Sequence, residues 1–465
     1  MTSYILPTLI VLPIITMTLL LNSYKVGKKT NVKLRGIAHL YNYLKRNKTY
    51  TNDELISLKK SAFDLFELVL NAERVAFGDN DKTDNAKRQL FTIQLDGISG
   101  EGNRFTPLGR VLTLGDTIKL LNRRLKFADT ITKMLPNKDD HNCNNGKNYI
   151  LIAGLPRTGS TMLHRLLSED KLTRTPLWWE QMHDDIPLPT NPNDLKTDNR
   201  APFVTKALQK ISLIAPNALA EFDRFHKIGT YEVEECAPFM RRYFNDMDSP
   251  YLAPSAIQKR VDWCEDKSID RSFIVNHLKA WLSLESLAFP KDKDYKWVIK
   301  APLFTTLLPE FSEGFPNATY VFTNRDPLNV IPSTCGLIEV AAAIKADWKN
   351  EDEMLNFVGS YTLSRMGGFA KYQSTFIEKI AKNKNIKCLA LRYPDVIKDP
   401  IKEVKRIYEF AGRELTDDTI SDMEIHLKDN TQAKHGKANY SLEKYGLSKE
   451  KVEEVMKDYK KAYNI

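Results

Sequence analysis

The arrangement of apolar and polar positions divides the chain into three stretches. The first, Tyr4 to Leu21, reads YILPTLIVLPIITMTLLL and contains no charged residue. A run of that length can span a bilayer core, although Pro7 and Pro13 weaken it as a helix, and a membrane-anchor helix within 1–30 is expected. From Thr51 the period becomes that of an amphipathic helix, because Leu58, Ala62, Leu65, Phe66 and Val69 recur on one face behind a TNDE stretch able to form a capping box. A second such run follows Asp116, with Ile118, Leu121, Leu125, Ala128 and Ile131. These predict a helical N-terminal region over 31–147, ending in the polar linker PNKDDHNCNNGKN.

Beyond the linker the pattern shifts to short apolar strands, YILIAG from Tyr149, KWVIK from Lys296, ATYVFTN from Ala318 and IKCLALR from Ile386. Each precedes a helical or turn segment, and that alternation predicts a parallel sheet covered by helices on both faces, over 148–465. TPLWWE, ending at Glu180, is read as one further strand after the first helix of this region. Trp178, Trp179, Phe239, Tyr243 and Phe244 read as core, with an apolar acceptor pocket as the alternative. The final stretch SKEKVEEVMKDYKKAYNI reads as a charged surface helix whose charges face solvent.

Charge and composition narrow the function classes. The 465 residues are 42% hydrophobic and 27% charged, the balance of a folded enzyme-sized protein. The formal charge of +9 is spread along the chain without a basic run carrying interleaved aromatics, so anionic small ligands or a membrane surface fit better than nucleic acid. Cys143, Cys236, Cys264, Cys335 and Cys388 lie far apart without metal-ligand spacing, which argues for free thiols and against a zinc site or disulfide framework. Lys25, Lys28, Lys29, Lys33 and Arg35 follow the apolar run and no charge precedes it, which by the positive-inside rule places the main domain of a single-pass protein in the cytosol. The sequons at Asn47, Asn317 and Asn439 point the other way, to an ER or Golgi lumen. A cleaved signal peptide is the alternative to an anchor, but the run lacks a basic lead and a small-residue exit.

The candidate chemistry starts at GLPRTGST, Gly154 to Thr161, between a strand and a helix. Successive backbone N–H groups and the positive helix end converge there, an arrangement that favours an oxyanion. The spacing matches GxxxxGK[ST], except that Ser160 stands where a nucleotide triphosphatase places lysine, with Thr161 following. No acidic motif stands out to hold the magnesium such enzymes need, while Arg157 supplies a guanidinium fork within the loop. Phosphate or sulfonate binding without triphosphate hydrolysis follows. In NRDPLNVIPS, Arg325 stands at a strand's carboxyl end and Ser333 two turns into a helix starting near Pro327, so both can meet a second phosphate. Alone, Arg325 would read as a salt bridge to Asp326. Two neighbouring phosphate sites suit a nucleotide phosphorylated at both ribose positions.

Together GLPRTGST, NRDPLNVIPS, WVIKAPLF and RTPLWWE resemble the sulfotransferase superfamily that uses 3′-phosphoadenosine 5′-phosphosulfate (PAPS), in its PRxGT-type branch of carbohydrate, lipid and small-molecule enzymes. The resemblance covers about the last two thirds of the chain. It implies a P-loop-NTPase-like three-layer α/β/α fold and sulfuryl transfer, without metal, to a hydroxyl or amine of a small-molecule, lipid or carbohydrate acceptor. It further implies that Arg157, Thr158, Gly159, Ser160 and Thr161 hold the 5′-phosphosulfate and that Arg325 and Ser333 take the 3′-phosphate. LRYPDVIKDP places Tyr393 near the nucleotide, with Pro394 in place of the family's acid, and AKHGKANYS suggests that Lys434, His435 and Gly436 close over it. The family's KSPxH reads KAPLF here, keeping Lys300 but placing Phe304 where histidine is usual.

Charge builds on the equatorial and leaving oxygens during sulfuryl transfer, so Arg157 and Lys300 are candidates to stabilise it. A hydroxyl acceptor needs a base, for which the candidates are Glu180, His226, Glu234 and Glu235, with Glu180 foremost and His226 next. A small-molecule kinase of P-loop type is the first alternative, disfavoured by Ser160; a catalytically silent nucleotide-binding protein is the second, given weight by Phe304.

Overall fold

The computed structural model describes residues 52–105, 107–142, 147–182, 200–214, 227, 229–245, 252–289, 294–380, 386–430 and 441–465. The apolar run at 4–21, the basic flank, the sequons at Asn47 and Asn439, His226 and the Lys434, His435, Gly436 segment all lie outside the described residues. Among the described residues no helix is long and apolar enough to cross a membrane.

Helix α1 (Asn52–Phe77) buries Ala62, Phe66, Val69 and Leu70, a stripe at three- and four-residue spacing. Helix α2 (Asp81–Ser99), which the hydrophobic pattern did not announce, starts with a reciprocal capping box. The Asn80 side chain accepts from Thr83 N, and Thr83 Oγ1 accepts from Asn80 N. Helix α3 (Pro107–Met134) begins well before Asp116, and its Leu121, Ala128 and Ile131 are buried in the core shared with α1. The expected linker is partly ordered as a 3₁₀ turn, Lys138–His141, in which the His141 ring bonds the Leu135 carbonyl.

Strands β1 (Ile150–Ala153), β2 (Thr173–Arg174), β3 (Lys296–Lys300), β4 (Thr319–Asn324) and β5 (Lys387–Arg392) form one sheet in the order β2-β3-β1-β4-β5, with every pairing parallel. All strands therefore end on one edge, where ligands of such sheets bind. Period-two alternation sorts the strand residues into two cores. Ile150, Ile152, Val298, Val321 and Leu391 face helices α4 (Ser160–Leu167), α14 (Pro400–Ala411) and α15 (Asp417–Asp429). Leu151, Ala153, Trp297, Ile299, Tyr320 and Phe322 join the other core, which also contains the apolar stripes of α1 to α3. The expected three-layer arrangement is present, and the N-terminal helices share a core with one of its faces.

TPLWWE is not a strand. The edge strand is Thr173–Arg174, and Trp178–Met182 is a short helix, α5. A brief apolar run around tryptophans does not distinguish the two states, and here Trp179 packs with Ala201 and Val204 of α6 (Arg200–Ile214) in a small separate cluster. The remaining helices in order are α7 (Ala237–Arg241), α8 (Pro254–Glu265), α9 (Ser272–Ser286), α10 (Leu308–Gly314), α11 (Pro327–Lys345), α12 (Glu351–Ile380) and α13 (Tyr393–Lys398).

The C-terminal stretch also departs from expectation. It forms two short helices, α16 (Lys449–Val455) and α17 (Lys457–Tyr463), that bury Val452, Met456 and Tyr459 against the body of the fold. Two glycines of α12 let this stretch approach. A Cβ at Gly359 would land on the Tyr445 carbonyl oxygen, and one at Gly367 would come 2.6 Å from Val455 Cγ1. Its charges are solvated, but one face of it is core.

A buried charge network fastens the N-terminal helices. Arg124 donates to Glu73 at 2.7 and 2.8 Å, and Lys87 Nζ lies 3.0 Å from both Glu73 and Asp84 and also pairs with Asp79. His277 of α9 bonds Asp79 at 2.9 Å through Nε2 and Tyr243 OH at 2.7 Å through Nδ1.

Candidate active site

The loop after β1 passes through three left-handed residues, Gly154 at φ +116°, Arg157 at φ +64° and Gly159 at φ +89°. Arginine in that region costs of order 1 kcal/mol, a strain typical of ligand-binding loops. Gly159 is required for a second reason: a Cβ there would come 3.1 Å from the Tyr393 ring. Arg157 and Gly159 put left-handed residues on either side of Thr158, the kind of backbone that forms anion-binding concavities, and Ser160 opens α4 immediately afterwards, so loop and helix start make a candidate anion cradle. Thr158 serves the loop itself, since its hydroxyl bonds the Leu155 carbonyl at 2.7 Å and Thr323 Oγ1 at 2.6 Å. Thr305 Oγ1 accepts from Gly154 N at 3.0 Å.

The second cradle begins where β4 ends. Asp326 does not pair with Arg325; its carboxylate accepts from Leu328 N at 3.0 Å and caps α11. The Arg325 guanidinium instead lies 4.1 Å from the Tyr393 ring centroid and donates to the Arg157 carbonyl at 3.0 Å. Arg157 Nε in turn donates to Ser333 Oγ at 3.1 Å. Arg157, Gly159, Arg325, Ser333 and Tyr393 are thus brought together at the ends of two adjacent strands.

A third group lies across β1. Lys300, the last residue of β3 and 4% exposed, donates to Thr161 Oγ1 at 3.2 Å and is ion-paired with Glu235. The Glu235 segment is held there by Cys236 N, which donates to the Lys300 carbonyl at 2.8 Å, and by Glu234, whose carboxylate accepts from Glu235 N at 2.9 Å. Beneath the lysine, His164 is buried with Nε2 3.2 Å from the Val298 carbonyl. Burial, followed by the charge of Lys300, lowers its pKa to about 3, so the ring is neutral and donates that bond. Burial likewise pushes the Cys236 thiol up.

Glu180 is not a strand residue; it sits on α5 and meets Arg174 at the carboxyl end of β2. It is fully buried at the third position of α5, where it accepts from Leu177 N at 2.8 Å and pairs with Arg174, the acidic half of a capping box. Phe304 packs on Phe311 with ring centroids 4.3 Å apart, inside the core. Trp179, Phe239, Tyr243 and Phe244 are core residues as well. Glu73, Asp79 and His277 cluster closely enough to hold a metal, but the Lys87 ammonium already bonds both carboxylates.

A parallel α/β/α sheet with a glycine-bounded loop and helix start at the carboxyl end of a central strand is an arrangement suited to an anionic ligand. The chain belongs to the sulfotransferase family, whose sequence model matches residues 149–417. It is 24% identical over 313 residues to the omega-hydroxy-beta-dihydromenaquinone-9 sulfotransferases of Mycobacterium bovis and Mycobacterium tuberculosis, covering 65% of this chain and 70% of each relative. Among solved structures, sulfotransferase STF9 from Mycobacterium avium superposes with a TM-score of 0.70 at 23% identity, over 90% of this chain and 98% of that one. Sulfotransferase STF1 from M. tuberculosis gives 0.63 at 25% identity, over 84% and 97%. The protein is an enzyme, a sulfotransferase.

Proposed function

We propose that this sulfotransferase takes PAPS as donor and sulfates a hydroxyl on a lipid-like or other small apolar acceptor. The observation that carries the donor reading is the contact chain Ser333, Arg157, Arg325, Tyr393, which joins two cationic cradles at adjacent strand ends. A nucleotide with phosphate groups on both ribose positions has charges to match both. The strained Arg157 backbone supports the same reading, since the loop holds that shape against a local cost. Arg157, Gly159, Ser160 and Thr161 would hold the 5′ side; Arg325 and Ser333 would hold the 3′-phosphate, with Tyr393 alongside.

In the reaction the acceptor oxygen forms a bond to sulfur while the bond from sulfur to the bridging phosphate oxygen breaks. The acceptor proton leaves to a base, and negative charge accumulates on the departing 5′-phosphate. Lys300 and Arg157 would be the cations that stabilise that charge, a reading supported by their positions beside Thr161 and Ser333. For the base, the geometry favours Glu235 over Glu180, because the Glu235 carboxylate pairs with Lys300 beside Thr161 whereas Glu180 is engaged in its own helix cap.

The acceptor class rests on the mycobacterial relatives, whose name specifies a hydroxylated menaquinone, and on the apolar run at 4–21, which would hold the enzyme at a membrane. The charge flank of that run favours a cytosolic active site. Thermal shift with adenosine 3′,5′-bisphosphate in the presence of EDTA, followed by transfer of labelled sulfate from PAPS to a panel of hydroxylated lipids, tests both parts. Stabilisation by ATP only with magnesium would point to a kinase, and nucleotide binding without transfer to a silent binding protein.

A further inference from the structure

Helix α17 carries Tyr459 and Tyr463 four residues apart, hence on one face, with ring centroids separated by 4.9 Å. Tyr459 is fully buried and its hydroxyl accepts from Arg325 N at 3.4 Å, at the carboxyl end of β4. The Tyr463 hydroxyl accepts from Gln373 Nε2. Gln373 is itself fully buried on α12, and its Oε1 lies against the first residue of the anion loop, where a Cβ on Gly154 would come 3.3 Å from it. Two phenols of one short helix therefore reach, directly or through one amide, the ends of β1 and β4. Those strands are neighbours, and each starts one of the two cradles.

The 3₁₀ turn just before these helices, Glu443–Tyr445, grips α11, which carries Ser333: Lys444 and Tyr445 both bond Glu339, at 2.7 and 2.8 Å. Gly359 and Gly367 on α12 give the turn and the helices the close approach they need. None of these contacts touches the Lys300 and Glu235 side of the site.

We infer that the docked C-terminal helices set the separation of the two anion cradles, making Tyr459 and Tyr463 positioning residues for a doubly phosphorylated nucleotide. This rests on the donor reading above. A ligand with two charged groups on a stiff ribose gains from the second cradle only when the spacing matches, whereas a 5′-monophosphate uses the loop alone.

The test compares adenosine 3′,5′-bisphosphate with adenosine 5′-monophosphate, by calorimetric titration of the full chain and of Tyr459→Phe, Tyr463→Phe and the double variant. Phenylalanine keeps each ring in the core and removes only the hydroxyl. The expected result is a loss of about fivefold in bisphosphate affinity per hydroxyl, the scale of one hydrogen bond, with monophosphate affinity unchanged. The KM for PAPS rises in step while the acceptor KM stays constant. Equal losses for both nucleotides, or a lowered Tm with an unchanged ratio, would overturn the inference and leave the helices a plain scaffold. Wild-type protein that binds neither compound would instead overturn the donor reading, and this inference with it. Should the double variant fail to fold, Tyr459→Phe alone decides between these outcomes.

Discussion

Lys300 Nζ lies 3.2 Å from Thr161 Oγ1, so the end of β3 is tied to the first turn of the helix that follows β1. An ammonium fixed there lies beside the first turn of the helix that the candidate loop leads into. Lys300→Met is expected to lower kcat about 10²- to 10³-fold with little change in the Kd for adenosine 3′,5′-bisphosphate, as for removal of one preorganised donor. Parallel turnover and binding measurements check it. An equal fall in nucleotide affinity would make the lysine a binding residue.

Glu235 and Glu180 separate by assay. Glu235→Gln should reduce kcat by about 10²- to 10⁴-fold and remove the acidic limb of the pH–rate profile, as expected for loss of a general base. Glu180→Gln should leave the pH profile unchanged and cost about 3 kcal/mol of stability, because it removes the buried carboxylate that pairs with the largely covered Arg174. Denaturant midpoints and pH–rate curves on both variants give the answer, and the reverse pattern would restore Glu180 as the base.

His164 predicts a pH dependence of stability. Its pKa is about 3 in the folded protein against an ordinary 6.5, so between those values the unfolded chain binds the extra proton. Stability is therefore complete above pH 6.5 and falls as pH drops, by up to about 1.4 kcal/mol per unit. Glu73 acts in the same direction but only from 4.5 downward. Its burial opposes ionisation, yet Arg124 and Lys87 hold its carboxyl well below the usual range. The difference between the melting curves of wild type and a His164→Gln variant from pH 6.5 to 5 isolates this histidine, and the variant should show the shallower pH dependence.

Lys87→Met should destabilise the protein by about 3–5 kcal/mol, since it leaves Glu73, Asp79 and Asp84 buried together without their shared cation. Chemical denaturation measures the loss. A cost below about 1 kcal/mol would show that Arg124 and Arg74 suffice.

Much of the sheet was legible because its inner strands, buried on both faces, are continuous apolar runs, and YILIAG, KWVIK and ATYVFTN each match a strand to within about a residue, as does IKCLALR, the partly exposed edge strand. The anion loop was legible because only glycine and a few tolerant residues accept its path. The contact between Lys300 and Glu235 was not, because the two stand 65 positions apart and no periodicity links them. Glu180 was misplaced because its capping role depends on a helix of five residues, too short to show a period. The C-terminal helices were misread for another reason. Abundant lysine and glutamate hid the stripe Val452, Met456, Tyr459, although Gly367 within α12 sits where Val455 packs closely.

His277 belongs to the α/β part, yet it completes its hydrogen bonds on Asp79 from the loop after α1. The N-terminal helical region thus covers a buried polar group of the transferase part, supplying Asp79 to the ring nitrogen of His277 that Tyr243 does not bond. An engineer trimming this enzyme to the family-matched stretch would remove that cover, and inclusion bodies are the expected product.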